Sequence, residues 1–289
     1  MVSIGDKRSS GLITGCSPGG IGNALAQEFH QRGLRVFATA RDTGALQSLV
    51  ALRIETLSLV VDDERSVQSC YAEVRERLGE KGLEYLVSNA NGSYIIDYIV
   101  PAMEVDLAEA RATFETNLFA VINMCQTFLP LLKKAQGTII QIGSAAGVIP
   151  YVFGSVYNAS KVALHSFSDT LKVELVPSGS VNVTTIVTGG VQSRIARVKR
   201  TLAPNSLYAP TEDESVVTQI LYGTTSWRWL WPWAKGRKSW LIWFLSGGWA
   251  WTGIFHHAMT RVFKLYKLKK MGGKQGNRRY STYFVALAV

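Results

Sequence analysis

Gly11-Leu-Ile-Thr-Gly15-Cys-Ser-Pro-Gly-Gly-Ile-Gly22 is the stretch from which the fold of this 289-residue chain can be predicted. Its first five residues form a short apolar run that ends in glycine, as a buried strand does. After Gly22, apolar residues recur at helical spacing, at Ala24, Leu25, Ala26 and Phe29. A glycine loop between a strand and a helix lets backbone N–H groups approach a pyrophosphate, whose charge the helix dipole favours. The stretch therefore predicts a dinucleotide-binding loop, and the alternative is a glycine-rich turn without a ligand.

Strand and helix patterns alternate along the following residues. Further strand-like runs cover residues 34–39, 57–61, 84–88, 137–143 and 181–187, and the longest helical patterns cover residues 106–132 and 156–175. Such alternation predicts an α/β fold with a doubly wound parallel sheet, the Rossmann fold. We assign residues 1–225 to this cofactor-binding and catalytic domain.

Two charged residues follow predicted strands, where a dinucleotide-binding fold contacts its cofactor. Arg41 follows the second strand, and a basic residue there accommodates a 2′-phosphate, so we favour NADPH over NAD. The alternative for Arg41 is a solvated surface charge. Asp62 follows the third strand and is a candidate acceptor for the adenine amine. Asp62 and Asp63 are alternatively caps for a helix that begins near Ser66.

Tyr157 and Lys161 lie four residues apart on a helical segment and so share one face. A phenol titrates near pH ~10 and is a poor acid–base catalyst at neutral pH unless a nearby cation stabilises its phenolate. Lys161 supplies that cation. Ser144, at the end of a strand-like run, could hydrogen-bond the substrate oxygen that Tyr157 would protonate. This arrangement suits hydride chemistry on a carbonyl.

In order and spacing, these motifs resemble the short-chain dehydrogenase/reductase family over residues 9 to about 225. The resemblance rests on the loop from Thr14 to Gly22, on Asn89-Ala90, and on Asn117, Ser144, Tyr157 and Lys161. It implies a catalytic tetrad of Asn117, Ser144, Tyr157 and Lys161, with Asn117 supporting a water relay behind Lys161. It also implies a set of cofactor-binding residues: Gly15, Ser17, Gly20, Ile21, Gly22, Arg41, Asp62, Asn89, Tyr157, Lys161, Val191 and Ser193.

The chain departs from the family pattern at three places. The glycine loop is one residue longer than T-G-x-x-x-G-x-G, and N-N-A-G is replaced by Ser88-Asn-Ala-Asn91. P-G-x-V-x-T is replaced by Thr188-Gly-Gly-Val191-Gln-Ser193. By the resemblance, Val191 contacts the nicotinamide carboxamide and Ser193 takes the place of the threonine.

Residues 226–289 differ sharply in composition from the rest of the chain. They hold 12 Lys/Arg and no acidic residue, which accounts for the net charge of +10, and they include all eight tryptophans. Residues 239–255 carry no charge and are flanked by basic residues. This composition favours attachment to a membrane surface, and the alternative is a subdomain that lines the substrate pocket. No nucleic-acid-binding motif accompanies the charge, so we expect no nucleic-acid partner.

Trp231-Pro-Trp233-Ala-Lys-Gly236, with Trp240 and Met259-Thr-Arg-Val-Phe263, resembles the acyldihydroxyacetone-phosphate reductase-like branch of the family, which is found in fungi. This resemblance implies an NADPH-dependent ketone reductase acting on a lipid-like, hydrophobic carbonyl or alcohol at the endoplasmic reticulum or lipid-droplet surface. A soluble tailoring reductase of secondary metabolism is the second hypothesis. A non-catalytic NADP-binding scaffold on a membrane is the third.

Cysteine content and the first residues bear on compartment and cofactor class. Cys16, Cys70 and Cys125 are too few and too scattered for a disulfide scaffold or a metal cluster, so we expect a reducing, intracellular compartment and no metal. Residues 1–8 lack an apolar segment, and we expect no secretory signal. A homo-oligomer is possible, and residues 272–289 are expected to form a loose end.

Overall fold

A computed structural model describes residues 8–90, 100–148, 154–175, 181–189, 191 and 284–286. All of these belong to one compact unit of the chain. The predicted domain boundary at residue 225, and the tail from residue 226 apart from the strand at 284–286, lie outside the described residues. Within the described part, no helix is long and apolar enough to cross a membrane.

The core of this unit is a parallel sheet in the order β3-β2-β1-β4-β5-β6-β7. Its strands are β1 (Ser10–Ile13), β2 (Arg35–Ala40), β3 (Glu55–Ser58), β4 (Tyr85–Ser88), β5 (Thr138–Ser144), β6 (Asn182–Thr188) and β7 (Phe284–Ala286). The order reverses between β1 and β4, because the chain runs outward to β3 and then returns across the sheet. The predicted doubly wound α/β fold is confirmed, and this reversal is where such folds bind ligands.

Helices cover both faces of the sheet. They are α1 (Ile21–Gln31), α2 (Gln47–Val50), α3 (Glu64–Leu78), α4 (Leu107–Phe114), α5 (Ala120–Ala135) and α6 (Ser155–Leu175). One apolar cluster joins the sheet to α3, α5 and α6 through residues such as Leu86, Phe128 and Leu164. A second cluster, on the other face, joins the sheet to α1 and α2 through Ile13, Ala26 and Leu49.

Three elements differ from the sequence prediction. The third strand ends at Ser58 rather than at residue 61, because its partner β2 ends at Ala40 and offers no ladder beyond that point. The helix predicted over 106–132 is interrupted by a π-helical turn, Glu115–Phe119, between α4 and α5. Within the segment expected to form a loose end, Phe284–Ala286 pairs with β6 as a seventh strand.

Candidate active site

A cavity of about 360 Å³ opens at the carboxyl ends of the strands, where the strand order reverses. Most of the residues predicted from the sequence line it together: Gly15, Ser17, Gly20, Ile21, Arg41, Asp62, Asn89, Ser144, Tyr157, Lys161 and Val191. Gly22 is not in the lining but packs against Gly15 and Asn89, and Asn117 follows the lining residue Thr116. Ser193 lies outside the described residues.

The glycine loop has the shape that close approach of a ligand to the backbone needs. Gly15 has a φ of 72°, and a Cβ there would lie 2.8 Å from the Cα of Ala90. A Cβ on Gly22 would lie 2.5 Å from both the Asn89 amide nitrogen and the Gly15 carbonyl oxygen. Gly19, in the same loop, also has a positive φ, of 73°. Gly15 and Gly22 leave no room for a side chain, so the backbone of the loop is bare next to the N-terminus of α1, which is a suitable site for a dinucleotide phosphate.

Asn89 ties the end of β4 to the glycine loop. Its side-chain amide donates to the carbonyl oxygens of Thr14 (2.8 Å) and Gly15 (3.1 Å). The Thr14 hydroxyl in turn accepts the backbone N–H groups of Asn89 and Ala90 at 2.9 and 2.8 Å. The floor of the cavity is therefore held by a buried, closed hydrogen-bond set. The sequence motif places Thr14 in the glycine loop but does not predict these hydrogen bonds.

Arg41 and Asp62 both line the cavity, and they follow the paired strands β2 and β3. Arg41 follows β2 directly and is exposed, with Ala40 beside it in the cavity wall. Asp62 lines the cavity, while its neighbour Asp63 caps α3 by accepting the N–H groups of Arg65 and Ser66. The helix cap therefore belongs to Asp63, and the contact of Asp62 with an adenine amine stays a prediction.

Tyr157 and Lys161 occupy one face of α6, as the spacing predicts. The Lys161 Nζ lies 5.8 Å from the centre of the Tyr157 ring and donates a hydrogen bond to the Ile142 carbonyl oxygen at 3.1 Å. Lys161 is 2 % exposed. Burial lowers the pKa of its ammonium group to about 8. The ammonium therefore stays charged at neutral pH and fixes a cation next to the phenol.

The Ser144 hydroxyl lies close enough to Tyr157 for hydrogen bonding with the phenol. Burial raises the pKa of Tyr157, and this hydrogen bond lowers it in part. The expectation that Lys161 sets the Tyr157 pKa below its usual value is therefore not met in this structure, because desolvation of the phenolate outweighs the stabilising contact. The phenol is protonated at neutral pH and is thus in the form that can donate a proton.

The π-helical turn places Asn117 behind the α6 residues. Its side-chain amide donates to the Ser160 hydroxyl at 2.9 Å, and that hydroxyl donates to the Tyr157 carbonyl oxygen at 2.8 Å. Asn117 is 1 % exposed, and its side-chain carbonyl oxygen has no hydrogen-bond partner within the described part of the chain. A buried acceptor of this kind is a position for an ordered water.

Sequence reasoning missed His165, which lies one further turn along the same face of α6. Its Nε2 accepts the Ser144 backbone N–H at 3.2 Å. The spacing was the available signal, since positions 157, 161 and 165 recur every four residues. The imidazole packs closely between Gly143 and Gly147, where a Cβ would lie 2.4 Å from Nε2 and 2.5 Å from Cε1, respectively.

Comparison with known protein families identifies the family to which this fold and this site belong. The family model described as short chain dehydrogenase matches residues 11–202 of this chain. The chain belongs to the short-chain dehydrogenase family. Short-chain dehydrogenases are oxidoreductases that act on alcohol and carbonyl groups, and the matched residues contain the whole of the cavity described above.

Individual relatives support this membership. This short-chain dehydrogenase is 41% identical over 205 residues to the NADPH-dependent 1-acyldihydroxyacetone phosphate reductase of Schizosaccharomyces pombe, covering 69% of this chain and 67% of that protein. A solved short-chain dehydrogenase from Streptomyces avermitilis superposes with a TM-score of 0.63 at 28% identity, covering 74% and 77%. A metagenomic short-chain oxidoreductase solved in complex with NADP superposes with a TM-score of 0.56 at 27% identity, covering 68% and 95%.

Proposed function

We propose that this short-chain dehydrogenase is an NADPH-dependent reductase that converts a ketone into a secondary alcohol. The observation that carries the proposal is that the Tyr157 phenol lies close to Ser144 and to the buried Lys161 cation, in the cavity that the glycine loop also lines. A proton donor and a dinucleotide cradle that share one cavity suit reduction of a carbonyl. Bound NADPH supplies the hydride.

The three side chains have separate tasks in this proposal. Tyr157 donates its proton to the carbonyl oxygen as the oxygen gains negative charge. The Ser144 hydroxyl, already in contact with Tyr157, donates a second hydrogen bond to that oxygen and stabilises the charge. Lys161 holds the cofactor ribose and stabilises the phenolate that Tyr157 leaves behind, since its ammonium lies 5.8 Å from the ring centre.

Asn117 completes the proposed tetrad from behind α6. Among the described residues its buried carbonyl oxygen has no hydrogen-bond partner, and the desolvation cost of leaving such a group unbonded supports a bound water at this position. A water held there would return a proton toward Lys161 after Tyr157 has donated its own. The role of Asn117 is thus to hold the relay, without contact to the substrate.

NADPH is the proposed cofactor because a basic residue stands where the adenosine ribose binds in this fold. Arg41 follows β2 and lines the cavity, where its positive charge would stabilise a bound 2′-phosphate. Asp62, which follows β3, lines the same cavity and would accept a hydrogen bond from the adenine amine. The printed names of the Schizosaccharomyces pombe reductase and of the metagenomic oxidoreductase complex point to the same cofactor.

We propose a lipid-like ketone as the substrate class. Support comes from the name of the Schizosaccharomyces pombe relative and from the tryptophan-rich, basic composition of residues 226–289, which favours a lipid surface. Attachment to endoplasmic reticulum or lipid-droplet membranes belongs to this proposal. The competing proposal, a soluble tailoring reductase of secondary metabolism, keeps the chemistry and assigns the tail to the pocket wall.

An NADPH-consumption screen tests the function and separates these alternatives. The purified full chain is offered acyl-lipid ketones and small polycyclic ketones, with NADPH oxidation followed by absorbance and the alcohol product identified by mass spectrometry. Turnover of the acyl-lipid ketones alone supports the proposal, and turnover of the polycyclic ketones alone supports the tailoring reductase. Binding of NADPH without turnover of any ketone would overturn both and favour the non-catalytic scaffold.

A further inference from the structure

Both polar groups of the peptide between Gly143 and Ser144 are hydrogen-bonded to side chains. Its N–H, which belongs to Ser144, donates to the His165 Nε2 at 3.2 Å. Its carbonyl oxygen, which belongs to Gly143, accepts the Thr188 hydroxyl at 2.8 Å. His165 comes from α6 and Thr188 from the end of β6, so two different elements hold one peptide group.

This peptide group precedes the serine that contacts Tyr157. Ser144 is the last residue of β5, and its Oγ accepts the Ala146 N–H at 3.2 Å as the chain turns away from the sheet. Gly143 and Ser144 still pair with Val187 and Thr188 of β6, and the residues after Ser144 leave the ladder. The two side-chain bonds add to this last pairing and help to fix the plane from which the Ser144 side chain projects toward Tyr157.

The turn that follows β5 packs tightly against the imidazole ring of His165. Gly143 and Gly147 stand on either side of Ser144, and a Cβ on either would clash with the His165 ring. Burial, together with the Lys161 charge, lowers the pKa of His165 to about 4, so its Nε2 is an unprotonated acceptor at neutral pH. Thr188 stands at a position where the family pattern has proline, which has no hydroxyl to donate.

We propose that His165 and Thr188 are positioning residues that hold the Gly143–Ser144 peptide group from two sides and thereby place the Ser144 hydroxyl for the reaction. This inference rests on the proposed function, because Ser144 matters only if Tyr157 protonates a substrate oxygen. His165 and Thr188 act through Ser144, and the proposal assigns no proton transfer to either of them.

Two substitutions of His165 by side chains of similar size test its role as a hydrogen-bond acceptor. His165→Gln retains an acceptor near the position of Nε2, whereas His165→Met has the same length and only a weakly accepting sulfur. We expect His165→Met to lower kcat roughly 10- to 100-fold, since small misplacements of a reacting group have effects of that order. KM and the amount of NADPH bound per chain should stay unchanged, and His165→Gln should restore most of the rate.

The pH dependence of alcohol oxidation gives a readout that a general loss of folding would not move. Oxidation needs the Tyr157 phenolate, and the Ser144 hydrogen bond lowers the pKa of that phenol. The pH at which the oxidation rate reaches half of its maximum should be higher in His165→Met than in the wild type. In His165→Gln it should return to the wild-type value. Lys161, the charged group near the ring, is the same in all three proteins.

Thr188→Val removes the hydroxyl from the other side of the peptide group and keeps the side-chain shape. Because both residues hold one peptide group, the double variant His165→Met/Thr188→Val should lose less activity than the product of the two single losses. Independent, multiplicative losses would contradict the shared role, and so would His165→Gln behaving like His165→Met.

Failure of this inference is distinguishable from failure of the proposed function. If Tyr157→Phe is inactive while His165→Met has the wild-type kcat and pH profile, the positioning role is wrong and the proposed chemistry stands. If Tyr157→Phe retains turnover, the proposed chemistry itself is wrong.

Discussion

At the scale of single residues, Arg41 decides cofactor preference in this account. Arg41→Leu removes a charge-assisted hydrogen bond to a phosphate, which contributes about 1.5–3 kcal/mol, so the Kd for NADPH should rise tenfold or more. The Kd for NADH, which has no 2′-phosphate, should stay unchanged. Fluorescence titration measures both constants, with Arg65→Leu as a control because Arg65 is exposed on α3 and does not line the cavity. Equal losses for the two cofactors would contradict the assignment.

His165 also gives the protein a specific pH dependence of stability. Its pKa is lowered from 6.5 to about 4 by burial and by the Lys161 charge, so the unfolded chain binds a proton at higher pH than the folded chain does. As the pH falls from 6.5 to 4, the unfolded state gains protons that the folded state excludes, and folding stability is lost. Urea unfolding should show a smaller loss over this interval for His165→Gln than for the wild type. Equal losses would show that His165 titrates normally.

The sequence predicted which residues line the cavity where a motif coincides with a strand end or with helical spacing. Gly15, Asn89 and Ser144 lie at strand ends, Tyr157 and Lys161 lie one turn apart on α6, and all five line the expected cavity. The pKa of Tyr157 could not be predicted, because it depends on how completely the phenol is desolvated. His165 carries no motif of its own, and its contact with Ser144 exists only because β5 ends against α6.

At the scale of secondary-structure elements, the contact between α1 and the glycine loop leaves no room for added volume. Gly22→Ala should destabilise the fold by about 1–3 kcal/mol, the usual range for overpacking, because its Cβ would lie 2.5 Å from the Gly15 carbonyl oxygen. NADPH binding should be lost with it. Ala24→Ser adds one heavy atom to an exposed position of the same helix and should change neither property. Urea unfolding and fluorescence titration provide the two measurements, and wild-type values for Gly22→Ala would contradict the tight contact.

The order of elements was predictable, but their exact ends were not. Strand and helix periodicities gave six strands and the main helices, because alternation of the two periods reflects burial directly. The π-helical turn at Glu115–Phe119 was missed because a single extra residue barely changes the apolar pattern of 106–132. Its consequence is local, since it sets where Asn117 meets Ser160.

At the scale of the whole molecule, the concentration of positive charge in residues 226–289 predicts binding to a lipid surface. The full chain should float with vesicles that contain anionic lipid, whereas a chain ending at residue 225 should not, because residues 226–289 hold 12 Lys/Arg and no acid. A flotation gradient measures the bound fraction, with NADPH binding as the check that the shortened chain is folded. Equal flotation of the two chains would contradict the membrane proposal and leave the tail as a pocket wall.

The central claim is that the Tyr157 phenol protonates a carbonyl oxygen while NADPH is oxidised. It is tested most directly by the single-turnover rate of NADPH oxidation in Tyr157→Phe, with a ketone that the wild type reduces. We predict a fall of at least 100-fold, the lower range for loss of a general acid, with NADPH binding unchanged. A rate near that of the wild type, in a protein that still binds NADPH, would show that another group supplies the proton.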